Sequence, residues 1–210
     1  MTFRDVTRWM TLRKSGASTK TKKLPDMSWM RITADEVAPT AWRNGGGRTR
    51  ELLAWPHVAD WKVRVSIADI DRDGPFSAFP GVDRWFSVLS GGGVILRGRA
   101  LKPKEGIVHF AGEDAPNCVL IDGPTQDFNA MHRRDAGVFR VQPADRPVIP
   151  HGAQWLGLFT QDGGMIIHGH RSVPLAPHTL AWCESPASQS CVFDDGDRHG
   201  PAWWLIWSES

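Results

Sequence analysis

Cysteine is scarce in this 210-residue sequence: Cys118, Cys183 and Cys191 are the only three. They are scattered, odd in number and contain no C-x-x-C pair, which excludes a disulfide framework. Each reads as a small buried apolar residue. No apolar run is long enough to span a membrane, and no signal-peptide pattern stands at the start, so a reducing cytoplasm is the default compartment. Net charge is also small, +2 at pH 7, which argues against general nucleic-acid or membrane-surface binding. There is no G-x-S-x-G elbow and no zincin signature, so a hydrolase has no motif support. Tyrosine is absent altogether, and we have no physical account of that.

What is abundant points to β structure. Gly (21) and Pro (15) punctuate short apolar runs, a pattern of many short strands rather than long helices. Eleven tryptophans imply a core or pocket with wide aromatic walls and indole N–H groups that need partners. The charge is uneven. Residues 1–26 hold seven basic residues against Asp5 and Asp26, a net of +5 that leaves −3 for the remainder. This stretch has neither an apolar run nor an amphipathic period, so residues 1–27 read as a disordered tail, or as sequence upstream of a start at Met27, rather than a targeting peptide or nucleic-acid arm.

Thr33-Ala34-Asp35-Glu36 fits a capping box that Pro39 would end. The clearest strand is Trp61–Ala68, where apolar residues alternate with Lys62, Arg64 and Ser66. Arg84–Leu89 predicts another strand, and Gly91-Gly92-Gly93 predicts a turn that pairs it with Val94–Leu96 as a hairpin. Further strands are expected at Cys118–Ile121, Phe128–Met131, Val138–Val141, Trp155–Phe159, Met165–His168, Thr179–Cys183 and Ala202–Trp207. Strands this short and this regularly spaced suggest a sandwich or barrel, with Met131–Asp135 as a junction between halves.

Several groups could carry chemistry. Gly45-Gly46-Gly47 resembles an anion cradle, but neither a helix nor a Lys-Ser/Thr follows, so alone it reads as a tight turn. Its neighbours add weight: Trp42 is aromatic, Asn44 donates and accepts, Arg50 can fork a carboxylate, and Thr49 and Glu51 add acceptors. Arg64 and Arg84 lie on strand-like stretches, where each reads either as a solvated or ion-paired residue or as a carboxylate anchor. Asp127, Asn129 and Met131 share one face of a strand. His168-Gly169-His170, with His178 and Glu184 downstream, is a candidate metal set, against the plainer reading of surface histidines at a turn.

The stretches Trp42–Glu51, Val63–Ala68, Asp73–Arg84, Leu89–Gly93 and Gly123–Met131, in that order and spacing, resemble the HutD/Ves family of cupin-like proteins. The likeness covers about residues 28–210 and is carried mainly by the part before Arg134. It implies an all-β bicupin: two small antiparallel β-barrels of the jelly-roll type packed together, 28–134 and 135–210, with the chain crossing between them near its ends. It also implies a ligand sensor or regulator linked to histidine utilisation, binding a small carboxylate such as urocanate or formiminoglutamate. Residue by residue, it marks Trp42, Asn44, Gly45, Gly46, Gly47, Thr49, Arg50, Glu51, Arg64, Ser66, Arg84, Asp127, Asn129 and Met131 as the ligand site. No cofactor, nucleic acid or membrane is expected, no established reaction comes with the family, and a homodimer is left open. The alternative is a metal-dependent cupin isomerase or oxygenase built on His168 and His170, a pair outside the family pattern.

Overall fold

A computed structural model describes residues 27–210. The basic stretch 1–26 lies outside the described residues. Met27, assigned to the tail from sequence, is buried against the core of the C-terminal half.

The chain is all-β, with three single turns of 3-10 helix and no α-helix among the described residues. β1 (Met30–Thr33) leads to β2 (Thr40–Ala41), β3 (Gly47–Trp55) and β4 (Val63–Ile70). Then come β5 (Gly74–Pro75), β6 (Val82–Gly91), β7 (Val94–Leu96), β8 (Arg99–Leu101), β9 (Val108–Ala111), β10 (Asn117–Leu120) and β11 (Thr125–Arg133). The rest of the chain forms β12 (Val138–Pro143), β13 (Trp155–Thr160), β14 (Gly164–His168), β15 (Arg171–Leu175), β16 (Thr179–Glu184), β17 (Cys191–Asp194) and β18 (Ala202–Ser208). The capping box forms, with the Thr33 N–H and hydroxyl donating to Glu36 Oε2 at 2.7 and 3.0 Å. It caps only one 3-10 turn, because Val37 is already extended.

These strands build four antiparallel sheets. The first large sheet has the order β2-β3-β4-β11-β6-β9 and faces a small sheet, β5-β10-β7-β8. The second large sheet, β1-β16-β13-β18-β12, faces the small sheet β15-β14-β17. Among the described residues, no ladder joins a large sheet to its small partner in a closed ring. The first strand belongs to the far half: Met30–Thr33 pairs with Thr179–Trp182.

The hairpin predicted around Gly91-Gly92-Gly93 does not form. β6 pairs with β11 and β9, whereas β7 pairs with β10 and β8. The glycines instead carry the chain from one sheet to the other. At Gly92 a Cβ would lie 1.9 Å from the Ile121 carbonyl oxygen, so the crossing is too close for any side chain.

Period two explains how the layers stack. On β4, Val63, Val65 and Ile67 pack with Phe128 and Ala130 of β11 against Trp155, Phe159, Trp203, Leu205 and Trp207 of the second large sheet. Most of the tryptophan wall expected from composition lies in this seam. Two contacts tie its polar edges: Trp55 Nε1 donates to Glu184 Oε1 at 3.0 Å, and Gln161 Nε2 to the Leu89 carbonyl at 3.2 Å. The opposite face of β4 points toward the small sheet. There Ile70, Phe86, Val88 and Phe110 meet Val94, Leu96, Leu101 and Cys118. That core stops short of Arg64 and Ser66, where the two layers part into a cleft.

A candidate anion-binding cleft

The cleft has a volume of about 640 Å³ and lies over the first large sheet, roofed by residues 40–44 and 75–79. Register fixes its floor. Arg64 on β4, Met131 on β11 and Arg84 on β6 lie in one row across the sheet, and Glu51, Ser66 and Asn129 lie in the next. Side chains at alternating strand positions share a face, so these six project together.

Arg64 is paired: its Nε donates to Glu51 Oε2 at 2.6 Å, with both side chains partly exposed. Arg84 is not. It is 5% exposed, and among the described residues no carboxylate meets it. One guanidinium nitrogen donates to Asn129 Oδ1 at 2.8 Å, another lies 3.5 Å from the Ser77 carbonyl, and Nε has no partner among the described residues. Three rings surround the charge, Phe76 at 4.6 Å, Phe110 at 5.4 Å and Phe79 at 5.8 Å from the guanidinium carbon. Their faces offer a cation some compensation. Burial, aided by repulsion from Arg64, still pulls Arg84 down to about 10. It therefore stays charged at neutral pH, in a place where a charge is costly to bury unpaired.

The loop above the floor is pinned. Trp42 N–H donates to the Gly47 carbonyl at 2.9 Å and Gly45 N–H to the Trp42 carbonyl at 3.0 Å. Asn44 Oδ1 accepts from Gly46 N–H at 3.0 Å, and the Trp42 indole donates to Thr49 Oγ1 at 2.8 Å. Gly47 is required by space, since a Cβ would sit 2.3 Å from the Asp69 carbonyl oxygen. The glycine run is thus a turn that presents Trp42, Arg43 and Asn44 to the cleft.

Nine of the sequence-predicted site residues line the cleft: Trp42, Asn44, Thr49, Glu51, Arg64, Ser66, Arg84, Asn129 and Met131. Gly45, Gly46 and Gly47 shape it from behind. Arg50 is turned away, because it alternates with Thr49 and Glu51 on β3. It pairs with Asp69 at 2.7 Å, beside Arg48 at 2.8 Å. Burial would raise the Asp69 carboxyl, but hydrogen bonds from Arg48, Gln126 and Arg50 outweigh it and hold the group at about 2. Asp127 shares the face of Asn129 and Met131 but is fully buried and does not reach the cleft. Burial raises its carboxyl to about 7 against a hydrogen bond from Thr125, and among the described residues its Oδ1 has no partner. Sequence reasoning missed Arg43 and the roof residues Phe76, Ser77 and Phe79. Both lay inside stretches already singled out, and only the loop geometry distinguishes them from their neighbours.

The alternative metal set is not brought together. His168 is buried beside Trp29, with ring centroids 6.5 Å apart, whereas His170 is exposed, His178 is half-buried and Glu184 accepts from Trp55. Among the described residues, no three His, Cys, Asp or Glu side chains are grouped to hold a metal.

Comparison with known proteins converges on one family. The family model described as HutD matches residues 34–199. Protein Ves of Citrobacter koseri is 38% identical over 129 residues, 58% of this chain and 67% of that protein. A conserved protein of unknown function from Pseudomonas aeruginosa superposes with a TM-score of 0.71 at 25% identity, over 87% of this chain and all (100%) of the other. The structure of HutD from Pseudomonas fluorescens, determined in a formate condition, gives 0.73 at 24% identity, over the same 87% and 100%, a likeness of fold.

Proposed function

The chain belongs to the HutD family, and we propose that it is a small-molecule-binding bicupin whose cleft captures a small carboxylate. On this reading each large sheet and its small partner form one cupin barrel, and the tryptophan-rich seam packs the barrels together. The protein acts as a sensor or regulator linked to histidine utilisation, in the cytoplasm, with urocanate or formiminoglutamate as ligand. The pathway and the ligand names rest on the family resemblance. The carboxylate rests on the chemistry of the cleft.

One observation carries the proposal: Arg84 is a buried cation with no carboxylate partner among the described residues, at the floor of a cleft whose walls are aromatic. Arginine forks a carboxylate with two parallel hydrogen bonds, and a carboxylate here would supply the missing countercharge. Asn129 accepts from Arg84, which leaves its amide N–H groups as donors. Glu51, held by Arg64, faces the same space as an acceptor for a nitrogen end of the ligand. Trp42, Phe76 and Phe79 offer apolar walls to a planar or aliphatic middle.

Thermal unfolding with urocanate, formiminoglutamate, histidine and formate tests this. A ligand at about a hundred times its dissociation constant stabilises the fold by roughly 2.7 kcal/mol, a clear rise in Tm. Folded protein that shifts with none of the four overturns the reading.

A further inference from the structure

The small sheet of the C-terminal half, β15-β14-β17, has an outer face unlike an ordinary wet surface. Alternation sends Ile166, Leu175 and Cys191 inward to the core and turns Met165, Ile167, Val192 and Pro174 outward. Register gathers the outward set: Ile167 stands between Val192 and Ser172, and Met165 stands beside Pro174. A fourth segment widens the face. Val148 is buried and bridges to Cys191, so its neighbours Pro147 and Ile149 turn outward beside β17. An antiparallel sheet with one face on a core ordinarily presents polar residues on the other. Here both faces are apolar. Ile149 is 50% exposed and Val192 37%, which leaves the outer face open among the described residues.

The edges of this sheet are closed to further strands. One edge is β15, where Pro174 has no N–H to offer. The other is β17, already bridged by Val148. A contact here is therefore made through the face, and charge decides its orientation. At one end Asp194 lies beside Met165, and Asp195 and Asp197 follow it against Arg198 alone. At the other end, the turn joining β14 to β15 carries His170 and Arg171. A twofold axis lying in the face and across the strands sets the acidic end of each copy over the basic end of the other. An axis along the strands sets like charge on like, which is costly.

We infer that this face is where two copies of the chain meet, sheet on sheet, with the Asp194 end of each over the Arg171 end of the other. Such a contact uses the same patch on both copies and closes at two. Four strand widths of about 4.8 Å by five residues at about 3.4 Å give a face of roughly 320 Å². Contiguous apolar patches of a few hundred Å² are where soluble chains make contacts. A standard interface, however, buries about 800 Å² on each side, so this dimer is weak and reversible. The face belongs to the half of the molecule without the cleft, and the inference stands apart from carboxylate binding.

Sedimentation equilibrium of the full chain between about 10 μM and 1 mM tests it. The weight-average mass is expected to climb toward twice that of the monomer across this range. Ile149→Glu and Val192→Lys should each hold the mass at the monomer value throughout. Both positions are exposed, so the melting curves of these variants should match wild type. Asp194→Arg turns the attraction between the ends into repulsion and should weaken association about tenfold or more at low salt, and less at high salt. A wild-type chain that stays monomeric to the top of the range overturns the inference. A dimer that survives both Ile149→Glu and Val192→Lys is built on another surface and overturns it equally. One that tolerates Asp194→Arg overturns the crossed orientation.

Discussion

The two sheet pairs share a layout and differ in what fills it. In the C-terminal pair, Leu156, Leu158, Ala181, Cys183, Trp204 and Ile206 of the large sheet close completely against Ile166, Leu175 and Cys191 of the small one. In the N-terminal pair the same kind of space holds Arg64, Ser66, Arg84 and Asn129, and apolar packing survives only at one end. Both pairs lean on the same tryptophan-rich seam. The comparison shows a division of labour: the solid pair and the seam supply stability, which lets the other pair keep an unpaired charge and an open mouth. Burying an isolated guanidinium opposes folding, and such a group persists only where the rest of the structure offsets it.

The largest effect that would break this division is loss of the solid core. Trp204 is fully buried, and its indole donates to the Arg146 carbonyl at 3.2 Å. Trp204→Ala should cost about 3–5 kcal/mol in chemical denaturation, by cavity formation and an orphaned carbonyl. Because no cleft residue touches the cavity, carboxylate affinity of the folded fraction should stay at the wild-type value. A matching loss of affinity would mean that the halves are coupled.

A smaller and pH-dependent effect belongs to Asp127. Its carboxyl rises from the ordinary 3.8 to about 7 in the folded protein. Between those values the folded state holds the extra proton, so the stability it contributes is fully present below about pH 4 and is lost as pH rises through 7. Asn fills the same space and still accepts from the Thr125 hydroxyl. Asp127→Asn should therefore be more stable than wild type at pH 8, on the order of 2 kcal/mol, with the gap closing toward pH 4. Urea denaturation at pH 4, 6 and 8 reads it. A constant difference across that range would mean that Asp127 does not titrate there.

Sequence showed one of these halves better than the other, for physical reasons. The alternation in Trp61–Ala68 is plain because the strand it marks, β4, divides two unlike environments, an apolar seam beneath and a polar cleft above. Its companions on β11 showed the same split. Strand β13 carries apolar residues on both faces, so its sequence marks a buried strand without saying what lies on either side. Nothing local announces that Met30–Thr33 pairs with Thr179–Trp182, since long-range pairing leaves no trace in either segment. Arg171–Leu175 gives no clear strand signal because Pro174 lowers its strand character, which only an edge strand such as β15 tolerates. Within the site, Trp42–Glu51 reads in sequence as one polar loop, whereas its second half is strand. Period two then separates Thr49 and Glu51 from Arg50, a distinction open to sequence once the strand is recognised.

Arg84 sharpens the comparison by separating stability from function. Met matches much of its volume, keeps contact with Phe76, Phe79 and Phe110, and needs no countercharge. It forfeits the ring–cation attraction and the hydrogen bond to Asn129. These terms oppose one another, so Arg84→Met should alter the stability of ligand-free protein by less than about 1 kcal/mol. Carboxylate binding should be abolished in calorimetry. A strong destabilisation with binding retained would make Arg84 a structural residue and leave the cleft without its anchor.

Arg50 should show the smallest effect, and its value lies in being a neighbour that does nothing to the site. It belongs to the matched signature, stands between Thr49 and Glu51, and carries the same charge as Arg43 and Arg64. Its partner, however, is Asp69, which also accepts from Arg48 and Gln126. Removing one of three donors from a partly solvated carboxylate costs little, under about 1 kcal/mol. Arg50→Gln should therefore leave denaturation midpoints nearly unchanged and carboxylate affinity unaltered, while Arg64→Gln, on the cleft face of the neighbouring strand, weakens binding. If Arg50→Gln weakened binding as much as Arg64→Gln, the effect would be a general loss of positive potential, and side-chain direction on the strands would not decide which arginines meet the ligand.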